Sequence, residues 1–134
     1  MVKQVSVFIE NTPGSLRDVL GALAENNINI DALSVADTTS FGIVRMIVDD
    51  AEKAQSVLSN EGLIVRVHYI TAIAVNDEPG ALMNALDILK NNGVAIEYMY
   101  AFGEKIDDCS VLAIRTDNQE LAEESLKLGG VKVL

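Results

Sequence analysis

Asn11–Ile30 reads NTPGSLRDVLGALAENNINI, and sixty-six residues later Asp77–Ile96 reads DEPGALMNALDILKNNGVAI. The overlay keeps Pro, Gly, three Leu, Asn and Ile in place, seven identities in twenty positions. Self-similarity at a fixed spacing marks a repeated structural unit. Beyond this stretch VADTTSFG in the first copy faces AFGEKIDDCS, longer by two residues. The spacing becomes 68, so that Asp49 meets Asp117 and Gly62 meets Gly130. The chain of 134 residues therefore divides into a first copy over 1–68 and a second over 69–134.

Within each copy the hydrophobic periods predict strand, helix, strand, strand, helix, strand. Val5, Val7 and Ile9 alternate with Gln4, Ser6, Phe8 and Glu10, the period of a strand with one buried face and one partly covered. Leu16, Val19, Leu20, Leu23 and Ala24 then recur at helical spacing, with Pro13 in the first helical turn and Asn26-Asn27 as a left-handed end. The twin helix uses Leu82, Ala85, Leu86 and Leu89 and ends at Asn92-Gly93. Ile28–Val35 and Gly42–Val48 are predicted strands around the polar run Asp37-Thr38-Thr39-Ser40, and Ala51, Ala54, Val57 and Leu58 mark a helix that Gly62 stops. Leu63–Asn76 contains no Gly, Pro or Asp and is too long for an ordinary strand, so it reads as two strands meeting near His68-Tyr69. That leaves no flexible linker. Copies of about 65 residues bury too little apolar surface to be comfortable alone, and pairing is the expected remedy.

Composition narrows the function. The net charge is −10, with 49% apolar and 22% charged residues, an ordinary globular recipe with an acidic surface. A nucleic-acid binder carries a basic stripe, and ten scattered basic residues make none, so neither nucleic acid nor an anionic membrane is an expected partner. No apolar run is long enough to span a bilayer, and the beginning of the chain lacks a signal-peptide pattern. One cysteine, Cys109, excludes an intramolecular disulfide and a thiolate zinc site and fits a reducing, cytoplasmic setting. His68 stands alone without a cysteine beside it, and no Walker or dinucleotide glycine motif occurs. Asp49-Asp50 and Asp107-Asp108 read as turn or helix-cap acids in preference to a divalent-ion site. No cofactor is expected. Met46, Met83 and Met99 read as core fillers.

Two βαββαβ units, each with Pro-Gly ahead of its first helix and an N-I-D or A-I-E strand after it, resemble the ACT domain family of amino-acid-sensing modules. IENTPGSLRDVLGALAENNINIDALSVADT in the first copy is similar to the regulatory subunit of acetolactate synthase and to the serine-sensing end of phosphoglycerate dehydrogenase. The resemblance covers nearly the whole chain. It implies an α+β, ferredoxin-like fold with helices on one face of an antiparallel sheet, repeats paired side by side, and a small effector at the seam. The fold also hosts acylphosphatase, whose first loop needs an arginine for phosphate. ENTPGS has none, and NDEPGA carries two acids.

The residues give that seam a chemistry. A helix starting at Pro13-Gly14 leaves the backbone N–H groups of Gly14, Ser15 and Leu16 open, and the helix dipole adds positive charge there, so the end attracts a carboxylate. Pro79, Gly80, Ala81 and Leu82 repeat this in the second copy. The resemblance implies that the Asn before Pro-Gly and a second Asn on the next strand hold the effector from opposite sides of a pair; here they are Asn11 and Asn29, eighteen residues apart. The plainer alternative makes Asn11 a helix cap and Asn29 part of a solvated strand. In the second copy Asp77 and Ala95 occupy those places, and Asp77 would take an ammonium where Ala95 has nothing polar to give. Pairing within one chain then joins Asp77, Gly80, Ala81 and Leu82 to Asn29, and Asn11 to Ala95, two unequal sites. Pairing of first copies between chains would rejoin Asn11 with Asn29. Ile28, Ile30, Leu33 and Val35 read first as core and second as a border for the effector side chain. Similarity of NIDALSVADT to the acetolactate synthase subunit leans toward a branched or small apolar amino acid. The expected protein is a non-catalytic sensor, a homodimer or the partner of a separate metabolic enzyme; the alternative is a constitutive regulatory or interaction subunit that no longer binds an effector.

Overall fold

The computed structural model describes residues 1–37 and 40–134; Thr38 and Thr39, part of the predicted polar turn, lie outside the described residues. Two compact units result, Lys3–His68 and Tyr69–Leu134, the latter with Met1–Val2. They are the first and the second repeat.

The first repeat runs β1 (Val2–Glu10), α1 (Ser15–Glu25), β2 (Ile30–Asp37), β3 (Phe41–Val48), α2 (Ala51–Asn60) and the beginning of β4 (Ile64–Asn76). Its strand order is β2-β3-β1-β4. β3 pairs antiparallel with both β1 and β2, placing Val5 opposite Met46, Val7 opposite Val44, and Leu33 opposite Met46. Val5, Val7, Val44 and Met46 therefore share one face, and Val19 and Leu23 of α1 pack there with Ala54 and Leu58 of α2. Both helices cover the same side of the sheet, each fully buried Leu or Val contributing about 1.5–3 kcal/mol.

The second repeat runs from the end of β4 through α3 (Ala81–Asn91), β5 (Ile96–Ala101), β6 (Cys109–Thr116), α4 (Gln119–Leu128) and β7 (Lys132–Val133). β6 lies between β4 and β5, and β7 pairs with β4, all antiparallel. Its core gathers Ile73 and Ile114 from the sheet with Ala85, Leu89, Ala122 and Leu126 from the helices. The fold is tandem ferredoxin-like α+β, as the family resemblance implies.

Several expectations need correction. The length of Leu63–Asn76 predicts two strands, but β4 is a single strand of 13 residues; without Gly or Pro nothing interrupts its ladder. Met83 is 60% exposed and no core filler, because it falls off the α3 stripe formed by Leu82, Ala85 and Leu89. Leu33 and Val35, 37% and 48% exposed, point to the helix-packed face, yet β2 is the outer strand of its repeat and neither side chain joins the apolar core. Ile28 is buried and Ile30 packs on the core. Ala24 is exposed, and Ala22 takes its place against the core. Asn27 and Gly93 hold the left-handed conformation expected after α1 and α3.

Candidate functional site

The helical spacing predicts Pro13 in the first helical turn, but Pro13-Gly14 forms a turn ahead of the helix instead. The Ser15 N–H donates to the Thr12 carbonyl at 3.2 Å, and Gly14 has φ +87° and ψ −10°. In the second repeat the Ala81 N–H donates to the Glu78 carbonyl at 3.3 Å and Gly80 has φ +86° and ψ −10°. These are the angles of the third residue of a type II turn, whose second position favours proline. Glycine is needed here because an L side chain in this conformation costs about 1–2 kcal/mol. The helix frame moves accordingly. Ser15 and Ala81 spend their amides on the turn, so the first-turn donors facing outward belong to Leu16 and Arg17 in α1, and to Leu82 and Met83 in α3. The signal that finds this was in the sequence, since x-Pro-Gly-x is a turn signature.

The four helices among the described residues fall into two kinds. Asp50 caps α2 by accepting from the Lys53 N–H at 3.0 Å, and Asn118 caps α4 by accepting from the Leu121 N–H at 3.1 Å. Gly14 and Gly80 stand at the cap positions of α1 and α3 with no side chain to accept anything. Each repeat therefore has one helix start satisfied internally and one whose donors remain available to an outside acceptor, with the helix dipole favouring an anion.

Asn11 does not cap α1. Its Nδ2 donates to Asp37 Oδ2 at 3.1 Å and its N–H to the Ser40 carbonyl at 3.2 Å, which ties the loop to the far end of β2. Thr12 and Ser15 share a hydroxyl hydrogen bond at 2.7 Å. Asn29 lies just before β2, exposed, with its N–H on Asp49 Oδ1 and the Asp49 N–H on its carbonyl, both at 3.1 Å. Its Nδ2 reaches Asp31 Oδ1 at 3.3 Å. Since Asn11 sits beside the end of β2 and Asn29 at its beginning, eight strand residues, about 25 Å, separate them within the repeat. One repeat does not bring the two asparagines together.

Ala95 makes the same backbone exchange with Asp117, at 3.0 and 3.1 Å, and differs from Asn29 only in its side chain. Asp77 is paired with Lys105 of the β5–β6 loop at 2.5 Å. The Lys105 hydrogen bond, then its charge, holds the Asp77 carboxyl below the ordinary aspartate range, with a smaller contribution from the Ser110 hydroxyl. Sequence reasoning missed Lys105, which lies in the longer loop of the second copy. His68 Nε2 lies 3.0 Å from Gln4 Nε2, and Cys109 Sγ is 3.8 Å from Asn76 Oδ1. Among the described residues no three His, Cys, Asp or Glu side chains converge as metal ligands. No helix among them is long and apolar enough to cross a membrane.

The family model of the ACT domain pair matches residues 1–133. The chain belongs to the ACT domain pair family. This ACT pair is 38% identical to protein BT0572 from Bacteroides thetaiotaomicron, covering 99% of this chain and 91% of that one, with a TM-score of 0.92. The regulatory subunit of aspartate kinase from Thermus thermophilus, in its ligand-free form, shares the fold at 20% identity, 96% and 89% coverage and a TM-score of 0.68. The corresponding subunit from Thermus flavus aligns at 17% identity, 96% and 92% coverage and a TM-score of 0.62. Among curated proteins none matches the chain.

Proposed function

We propose that this ACT pair is a non-catalytic, cytoplasmic regulatory protein that senses a free amino acid. The observation that carries the reading is the unequal capping of the helices: α2 and α4 are closed by Asp50 and Asn118, whereas α1 and α3 begin after bare left-handed glycines. The amides of Leu16 and Arg17, or of Leu82 and Met83, suit the carboxylate of an amino acid. Asn11 or Asp77 suits its ammonium. Because Asn11 and Asn29 lie at opposite ends of their repeat, a site using both kinds of residue takes the loop from one ACT repeat and the strand from another, in the same chain or in a homodimer. Likeness to regulatory subunits of aspartate kinase supports a separate metabolic enzyme as the listener.

A second reading, a constitutive subunit without an effector, is favoured in the second repeat by one observation: Asp77 already holds the Lys105 ammonium. A ligand's ammonium would have to displace it. Titration calorimetry with leucine, isoleucine, valine, alanine, serine and threonine tests the proposal. Saturable heat with a branched or small amino acid supports sensing, and its absence throughout the series favours the constitutive reading.

A further inference from the structure

The first repeat contains a cleft of about 430 Å³, well within the range of small-molecule sites. It lies among the end of β1, the first turns of α1, the start of β3 and the α2–β4 turn; of the first repeat's candidate effector residues it shares Ser15, while Asn11, Gly14 and Asn29 lie outside it. Three large apolar side chains line it while remaining open to solvent: Phe8 at 36%, Phe41 at 58% and Ile64 at 63% exposure. Three carboxylates stand among them: Glu10, Asp18 and Glu61. Glu10 faces Phe41 across the β1–β3 ladder, with Phe8 two residues along on the same side of the strand. Asp18 has Arg17 at 3.6 Å, both widely exposed; among the described residues Glu10 and Glu61 take part in no ion pair.

The second repeat supplies the internal comparison. The Glu10–Phe41 pair corresponds in register to Asn76–Cys109, and the Phe8–Ile43 pair to Ala74–Val111. Lys132 pairs with Ala74 in β7, and by the repeat spacing it stands where Ile64 stands in β4. Asn84 and Gly129 replace Asp18 and Glu61. The second copy of the same fold thus lacks both aromatic rings and all three acids, and it gains a lysine. Neither feature is needed to build a repeat.

We infer that this cleft is a second binding site, adjoining the start of α1, for a small organic amine with an apolar or aromatic body and no carboxylate. Two phenyl rings accept an apolar body and attract a cation to their faces. The carboxylates favour an ammonium and repel an acid. A neutral alcohol of the same shape keeps the apolar contact but loses the charge, and a carboxylic acid reverses it.

The test uses the full chain and 2-phenylethylamine as probe, with 2-phenylethanol and phenylacetate as charge controls, by titration calorimetry and ligand-observed NMR. The amine is expected to saturate at one per chain, at least tenfold tighter than either control, and to weaken as salt rises. Glu10→Gln and Glu61→Gln are expected to lower its affinity at least threefold each, and Phe41→Ala at least tenfold, with melting temperatures of the free variants establishing that they fold. No saturable binding, equal binding of phenylacetate, or wild-type affinity in all three variants would overturn the site. So would sedimentation showing a dimer that Phe41→Asp dissociates, because a second copy would then cover the cleft.

Discussion

Lys105 Nζ lies 2.5 Å from Asp77 Oδ2, so the acid that precedes the Pro-Gly turn of the second repeat already has a cation of its own. Its carboxyl is held below the ordinary aspartate range, first by the Lys105 hydrogen bond and then by the Lys105 charge. A depressed carboxylate pKa contributes stability that is present above the unfolded value and lost as pH falls through the folded one. Lys105→Met is expected to return the Asp77 pKa toward the ordinary value of about 4. Carboxyl-carbon NMR titration measures it, and an unchanged pKa would contradict the pair.

Gly14→Ala and Gly80→Ala are each expected to destabilise the chain by about 1–2 kcal/mol through the left-handed backbone. A Cβ at either position meets no heavy atom within 4 Å, so the cost is backbone strain without a clash. Asparagine, which tolerates this conformation better, is expected to cost less than alanine at both positions. Urea unfolding should show a lower midpoint with an unchanged slope.

The internally capped helices respond differently. Asp50→Ala and Asn118→Ala each remove an acceptor from a first-turn amide, at 3.0 and 3.1 Å, with an expected loss of about 0.5–2 kcal/mol. Neither change touches the start of α1 or α3. Denaturant midpoints should fall while any amino-acid affinity stays at the wild-type value.

The two asparagines separate modes of pairing. If repeats pair within the chain, Asn29→Ala weakens the effector more than Asn11→Ala, since Asn29 then joins the Asp77 loop and Asn11 faces Ala95. Equal losses indicate first repeats pairing between chains. Calorimetric dissociation constants for the two variants decide between these outcomes.

The repeat was legible because each copy needs the same turn, the same helical leucines and the same return strand. What the sequence left open was what lies beyond each element. Proline fixes φ equally well at a helix start and at the second position of a turn, so Pro13 fits either; the positive φ of Gly14 decides for the turn. Strict alternation from Ile28 and Ile30 would send Leu33 and Val35 to the other face; a register shift between Ile30 and Ala32 sets them opposite Met46 and Val44 instead, and no local pattern says whether a helix covers an outer strand. Met83 could have been excluded from the core by its distance from the Leu82, Ala85, Leu89 stripe. At the site, the capping difference rests on residues visible in the chain, Asp50 and Asn118 against Gly14 and Gly80. The reach of Lys105 to Asp77 spans 28 residues, and nothing in the loop's composition names its partner.

The most direct test of amino-acid sensing is the melting temperature of the full chain with each of the twenty amino acids in turn. A true effector at a hundred times its dissociation constant adds about 2.7 kcal/mol, which raises the midpoint of a chain this size by roughly 10 °C. The account predicts such a shift for at least one branched or small apolar amino acid, reduced in Asn29→Ala. An unchanged midpoint with all twenty would contradict it.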